Sequence, residues 1–549
     1  MAGGKKAPEP EPVPAEPEPT GSRWKKQKPP EPPPEPEPPQ PTGSREKNRK
    51  SPNHRLNLSH RNPQDRGGKN PPEPPPALPI AKHQKKQKTR NCGLYKATFY
   101  SNIGSFLFGI AVGWTAATEK SVMDRSFYKF HTSPGEWSAV CNMLTLGAAL
   151  WCIPVGLMAR SCGCKRTILI QAVPNTLGWF IIVFAQSVTM LYLGRFILGM
   201  CGGAHSVVVP IYLAEISTAK KRGAMVVLYQ GACICGVFYS FAMSVFVEMW
   251  IFHVVTLALL PLLFLQILMP ETPGYYVDRG KIGEAEETLR WLRGKKYNPR
   301  REIDHLAGHE TYSEQDARQG PLRGFKFKKI RRSLARCLAL AVFQKLCGAL
   351  IFIFFGQQLM NCLRIHHIYL SVVCLAVALG CLACFLLVDR LGRRPLLILS
   401  TVVIFFVSAF LGLYFKIWMS SDFPVLSWTA LVCIALFMGA HMVGLGTLFW
   451  VLNVELIVRY MRPVGCSLIL TCNWLTAVFV LCWYSGHEMK CQPYLFMLFA
   501  IIALMSLLFC MVYIPETKLL SSEKIQERLG GIMNRPTAVT FTSSSDTSL

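Results

Sequence analysis

The chain has 549 residues, of which 50% are apolar and 17% charged, with a mean hydropathy of +0.26. A soluble chain of this length carries about a quarter charged residues and cannot hide so much apolar surface, so a soluble multidomain protein is excluded. The formal net charge of +26 does not signal a nucleic-acid partner either, because the basic residues lie in an N-terminal tail and in short intervals between apolar runs rather than on one soluble face.

Residues 1–92 form the first segment. Positions 1–90 hold 23 of the 38 prolines and 19 Lys/Arg against ten Asp/Glu, in runs such as Pro32-Pro33-Pro34-Glu35-Pro36. Such a segment cannot bury a core and is expected to be a disordered Pro/Lys-rich cytoplasmic tail, a semi-rigid polyproline-II spacer. Basic clusters occur at Lys25-Lys26-Gln27-Lys28 and Lys85-Lys86-Gln87-Lys88. The basic stretch 82–90, just before the first apolar run, is placed to meet anionic lipid at about 1 kcal/mol per charge. The sequon Asn57-Leu58-Ser59 falls in this tail and is not expected to be glycosylated. No cleavable leader pattern is present, so the first span is expected to direct insertion.

Apolar runs of roughly 20 residues, enough to cross a bilayer of about 30 Å, occur near 94–118, 137–159, 168–186, 189–214, 223–247, 249–269, 335–360, 367–388, 395–417, 428–454, 463–486 and 493–514. The expected fold is an all-α membrane protein with twelve transmembrane helices. A segment at 271–334, with 15 Lys/Arg against ten Asp/Glu, divides them six and six, giving halves at 93–270 and 335–514 and a C-terminal tail at 515–549. Intervals 160–167, 218–223, 389–394 and 459–462 are basic whereas 119–136, 420–427 and 487–492 are balanced, which places both termini and the central segment in the cytoplasm. Within that segment 283–292 is amphipathic and reads as a short helix beneath the bundle. The cysteines sit mostly within apolar runs as small hydrophobes, so neither a disulfide framework nor a metal site is expected.

An internal repeat supports two related halves. Glu215 precedes Arg222, and Glu455 precedes Arg462, by the same seven residues at an offset of 240. Arg160-Ser161-Cys162-Gly163-Cys164-Lys165-Arg166 after the second span matches Asp389-Arg390-Leu391-Gly392-Arg393-Arg394 after the eighth, and Pro270-Glu271-Thr272 matches Pro515-Glu516-Thr517. Acids and arginines at the inner ends of neighbouring helices can pair in one conformation and separate in another, which makes a cytoplasmic latch.

Gly194-Arg195-Phe196-Ile197-Leu198-Gly199, Pro210-Ile211-Tyr212-Leu213-Ala214-Glu215 and Arg222-Gly223, with the Asp389–Arg394 and Pro-Glu-Thr motifs, resemble the sugar porter signature of the major facilitator superfamily. The first span, Phe108-Gly109 through Gly113-Trp114, is similar to that of insect facilitated trehalose transporter-like members. The resemblance covers about 94–518. It implies two pseudo-symmetric six-helix halves working by alternating access around a midplane sugar site. By this resemblance Arg195, Glu215, Arg222, Asp389, Arg393, Arg394, Glu455 and Arg462 belong to the cytoplasmic latch.

The resemblance likewise assigns Gln230, Gln344, Trp450, Asn473 and Trp474 to the sugar site, where amides and a stacking indole suit a neutral polyol. The seventh span departs from the family: it reads Gln344-Lys345-Leu346-Cys347-Gly348-Ala349-Leu350, with Lys345 in place of a second amide and Leu350 in place of an Asn. A cation near the bilayer centre costs about 2.5–3.5 kcal/mol, so Lys345 is expected to face the cavity and to have a partner or an anionic ligand. Three roles are open: a hydrogen bond to sugar, capture of a carboxylate or phosphate on another substrate, or closure of the cavity. His205 and His441 read as core histidines.

In the family an acid in the first span marks proton coupling, and Phe106–Trp114 holds none. With no phosphate-binding Gly-rich loop for ATP, the expected function is facilitated diffusion of a hexose or trehalose through the plasma membrane, with no catalytic residue and no cofactor. A transport-silent sugar sensor or scaffold, or an organic-anion transporter using Lys345, are the alternatives.

Overall fold

The computed structural model describes residues 91–307, 324–418, 425–486 and 493–520, with 524, 525 and 528. The Pro-rich tail, its basic clusters, Asn57 and most of the C-terminal tail lie outside the described residues.

Every element among the described residues is helical. The spans of the first half are Cys92–Met123, Pro134–Cys162, Cys164–Val183, Val188–Ile216, Arg222–Phe246 and Met249–Leu268. Those of the second are Lys328–Leu346 continued through Ala349–Phe354 and Gly356–Cys362, then Leu370–Leu391, Arg393–Trp418, Val425–Val443 continued as Leu445–Leu456, Arg462–Gly486 and Pro493–Tyr513. The seventh helix begins at Lys328, seven residues before the apolar run starts, because its first two turns are basic and lie outside the hydrocarbon.

Among the described residues ten helices are long and apolar enough to cross a membrane; the first and seventh spans complete the twelve. These two occupy equivalent places in the halves, and interior polar residues lower the hydropathy of both, the seventh being lowered further by the basic residues of its first turns. The first buries Ser101, Asn102, Ser105, Thr115 and Thr118, and the seventh carries Gln344 and Lys345, so both trade lipid for the protein interior.

Packing repeats as well. The second span lies along the fourth and the eighth along the tenth, as the six-plus-six arrangement requires. Small residues allow the approach: a Cβ on Gly199 would stand 2.1 Å from the Leu144 carbonyl oxygen, and one on Gly380 2.2 Å from that of Gly439. The halves meet where the second span packs on the eleventh and the fifth on the eighth.

The halves differ in the helices around the cavity. The seventh span breaks at Gly348, whose φ of 91° is left-handed, and the tenth breaks at Gly444, whereas the first and fourth run unbroken. Interrupted helices are tolerated at membrane depth where they border a cavity, and both breaks do.

The central segment forms Pro273–Val277, Ile282–Arg293 and Arg300–Ala307. The amphipathic helix at 282–293 buries Ala285 and Leu289 against Ile303, and its end abuts the start of the first span, where a Cβ on Gly93 would stand 2.1 Å from the Trp291 carbonyl. Eighteen cysteines are free thiols, and Cys362, at the end of the seventh span away from the basic loops, is disulfide-bonded.

Candidate functional site

A cavity lies between the halves, bounded by the first, fifth, seventh, eighth, tenth and eleventh spans. Its space of about 120 Å³ has room for several waters. Gln230, Gln344, Lys345, Trp450 and Trp474 all line it, with Phe108, Tyr229, Leu350 and His441. Five side chains from four helices, spread over both halves, thus meet around one space.

Their individual roles differ from a common rim of hydrogen-bonding groups. Gln344 is already engaged: its Nε2 donates to the Gly446 carbonyl at 3.0 Å and its Oε1 accepts from Asn473 Nδ2 at 2.8 Å. Asn473 is fully buried behind it, also donating to the Ala341 carbonyl at 2.9 Å, and is absent from the lining. Asn473, expected to contact sugar, here lies behind the lining and fixes the amide of Gln344. Gln230 has no hydrogen-bond partner among the described residues and is free for a ligand.

The two indoles join the halves. Trp474 Nε1 donates to Ser206 Oγ at 3.3 Å across the interface, and its ring meets Phe108 edge-on at 5.7 Å. Trp450 meets Tyr229 at 4.9 Å, and its Nε1 is buried without a partner. Lys345 is buried, with its ammonium 4.6 Å from the centre of the Trp474 ring and no carboxylate bonded to it. Leu350 lines the cavity without filling it.

At the end of the bundle that carries the basic loops, two matching turns are held by matching acids. Glu271 accepts from the backbone N–H groups of Cys164 and Lys165, each at 3.0 Å, just after Gly163 at φ 90°. Glu516 accepts from Arg393 and Arg394 at 3.1 and 3.0 Å, just after Gly392 at φ 103°. Each carboxylate caps the first turn of the helix that follows, where unpaired donors and the helix dipole favour an anion. Burial pushes the Glu271 carboxyl up to about 7, against the pull of the Thr272, Lys165 and Cys164 N–H groups.

Around the Glu516 cap lies an ion network. Arg393 is buried and donates to Glu455 through Nη2 at 2.8 Å and Nε at 3.1 Å, while its Nη1 lies 3.0 Å from Asp389. Thr517 completes it by donating to Glu455 at 2.7 Å. Asp389 also accepts from the Ala224 N–H at 3.0 Å, which ties the eighth span to the start of the fifth and so links the halves. Arg394 is exposed and bonds the Met511 carbonyl. Arg462 donates to the Val454 carbonyl at 2.9 Å, with Glu215 and Arg222 in electrostatic reach. In the first half the position of Arg393 is taken by Cys164, so Glu215 has no counterpart of that buried pair within its own half.

Arg195 does not belong with this group. It lies 20 residues before Glu215 on one unbroken helix, about 30 Å away at 1.5 Å per residue. There it donates to the Ala111 carbonyl and Thr115 Oγ1 and lies 5.2 Å from the Trp114 ring centre. Its assignment to the latch is corrected: it braces the first span at the opposite end. The same region holds Glu119, a buried acid beyond the stretch 106–114, which accepts from Gln358 of the seventh span at 2.7 Å and does not line the cavity.

Twelve helices in two matching sixes, enclosing one cavity that both halves line, define a membrane transporter of the major facilitator fold. The same fold is seen in a proton:xylose symporter of that superfamily bound to 6-bromo-6-deoxy-D-glucose, with a TM-score of 0.67 and 20% identity over 80% of this chain and 100% of that one. In sequence the chain is 65% identical over 458 residues to glucose transporter type 3 of Drosophila melanogaster, covering 83% of this chain and 90% of the relative. It is 29% identical over 444 residues to the facilitated trehalose transporter Tret1 of Bombyx mori, covering 79% and 86%. Residues 97–529 match the family described as Sugar (and other) transporter, and the chain belongs to that family. It is a multi-pass membrane transporter and not an enzyme.

Proposed function

We propose that the protein is a uniporter that carries a hexose or trehalose down its gradient by alternating access, with the latch at its basic end closing and opening as the halves rock. The observation that carries this reading is the lining of the cavity: Gln230 from one half, with Trp450 and Trp474 from the other, face one space. An amide and two indoles suit a polyol, whose hydroxyls take neutral hydrogen bonds and whose C–H faces stack on aromatic rings. The glucose and trehalose transporters among the relatives support the substrate class.

No carboxylate lines the cavity, and Glu119 is engaged by Gln358, which favours diffusion without a coupled proton. The basic end is cytoplasmic by the positive-inside rule, and the disulfide-bonded Cys362 at the opposite end suits an oxidising exterior. This supports residence in the plasma membrane with both termini inside. The proposed functional sites are the cavity residues Gln230, Lys345, Trp450 and Trp474, positioned by Gln344 and Asn473, and the latch formed by Asp389, Arg393, Glu455, Glu215, Arg222 and Arg462.

Purified protein in liposomes tests the reading. Saturable uptake of labelled glucose or trehalose that an imposed proton gradient does not accelerate is the expected result. Uptake driven by that gradient, or no saturable flux of any sugar, overturns it.

A further inference from the structure

The cavity holds a charge that nothing among the described residues balances. Lys345 is 9% exposed and lines the space, yet among the described residues its ammonium has no hydrogen bond and no ion pair, only the face of Trp474 at 4.6 Å. No Asp or Glu is among the lining residues. Two unpartnered groups lie nearby: Trp450 Nε1 is a buried donor without an acceptor, and His441, within electrostatic reach of Lys345, has an unpartnered Nδ1 that donates or accepts according to its tautomer.

An ammonium held against an indole face gains cation–π attraction, but its three N–H donors stay unused. A neutral sugar can offer hydroxyl oxygens to them and leaves the charge without a counter-ion in a largely buried site. One negative charge on the ligand removes that imbalance, and the hydrogen bond it forms is charge-assisted and stronger. A phosphate, near two negative charges, would exceed the single cation present. A carboxylate matches it.

We infer that the ligand of this cavity is a sugar acid, a hexose-sized polyol carrying one carboxylate, with the carboxylate received by Lys345 and the indole N–H of Trp450 and the ring stacked on Trp474. The inference rests on the sugar-transport reading and narrows its substrate.

D-glucuronate and D-glucose serve as probes, each labelled and offered to proteoliposomes holding the full chain, Lys345→Gln or Lys345→Arg. The wild type is expected to take up glucuronate saturably and faster than glucose. Lys345→Gln is expected to lower the glucuronate-to-glucose flux ratio by about tenfold or more, the value of one charge-assisted bond, and Lys345→Arg to retain most of it. Wild-type glucose flux without glucuronate flux overturns the sugar-acid assignment and leaves sugar transport standing. No flux of either probe in folded wild-type protein overturns the transport reading and the inference with it. Thermal melting of the wild type in detergent gives a readout independent of variant folding: glucuronate is expected to raise the melting temperature more than glucose at equal concentration, and the reverse order counts against the assignment.

Discussion

Glu271 and Glu516 do the same thing 245 positions apart: each lays its carboxylate across the first two backbone N–H groups of a helix that starts after a left-handed glycine. The Pro-Glu-Thr repeat is therefore a capping device shared by the halves. The acid closing each half reaches back to the turn between its second and third helices.

Gly392→Ala is expected to destabilise the second half. Its φ of 103° is strained for any side chain, and the added Cβ would stand 2.6 Å from Glu516 Oε2. A loss of about 1–2 kcal/mol should appear as a lower melting temperature in detergent, with Glu516→Ala giving a loss of similar size.

Arg393→Ala leaves Glu455 buried without its cation and is expected to cost about 3–5 kcal/mol. Replacing Arg393 and Glu455 together by Met should recover much of that loss, since both buried charges are then gone. Melting temperatures of the two single variants and the double variant check the cycle. Additive losses would show that the pair is not coupled.

The pH response of the first cap has a definite sign. The Glu271 carboxyl titrates at about 7 when folded and near its ordinary 4.5 when unfolded, so the folded state takes up the proton first. The stability this contributes is fully present below about 4.5 and is lost as pH rises through about 7. The melting temperature of the wild type minus that of Glu271→Gln should fall between pH 5 and pH 8, by roughly 1–3 °C. A flat difference would mean that burial does not perturb this carboxyl.

Asn473 tests indirect positioning. Asn473→Ala should raise the KM for the transported sugar although the residue does not line the cavity, because the Gln344 amide loses the donor that fixes it. The effect should be largely absent in a Gln344→Ala background. Uptake kinetics of the two single variants and the double variant decide this.

The sequence reading succeeded where periodicity and repetition carry the message and failed where direction does. Twelve apolar runs and the matched markers were enough to set out two related halves. Trp474 lines the cavity while Asn473 beside it turns toward Gln344 and the Ala341 carbonyl, and pattern matching alone does not register that difference of about 100° in direction. Arg195 was misplaced for a comparable reason: motif membership overrode the 1.5 Å rise that puts it far from Glu215. The caps of Glu271 and Glu516 span 106 and 122 residues to their nearest capped amides, so the repeated acids were visible in the sequence but their role was not. The breaks at Gly348 and Gly444 resemble any glycine in an apolar run.

Those two breaks make the halves unequal as mechanical parts. One is a stiff beam, with its cavity-side helices continuous from end to end. The other is a jointed arm whose joints sit beside the cavity: Lys345 lies three residues before Gly348, and Trp450 lies six after Gly444. A molecule entering the cavity therefore loads the joints of one half directly and the other only as a wall, so an inhibitor that splints Gly348 or Gly444 would lock the transporter without having to resemble its cargo.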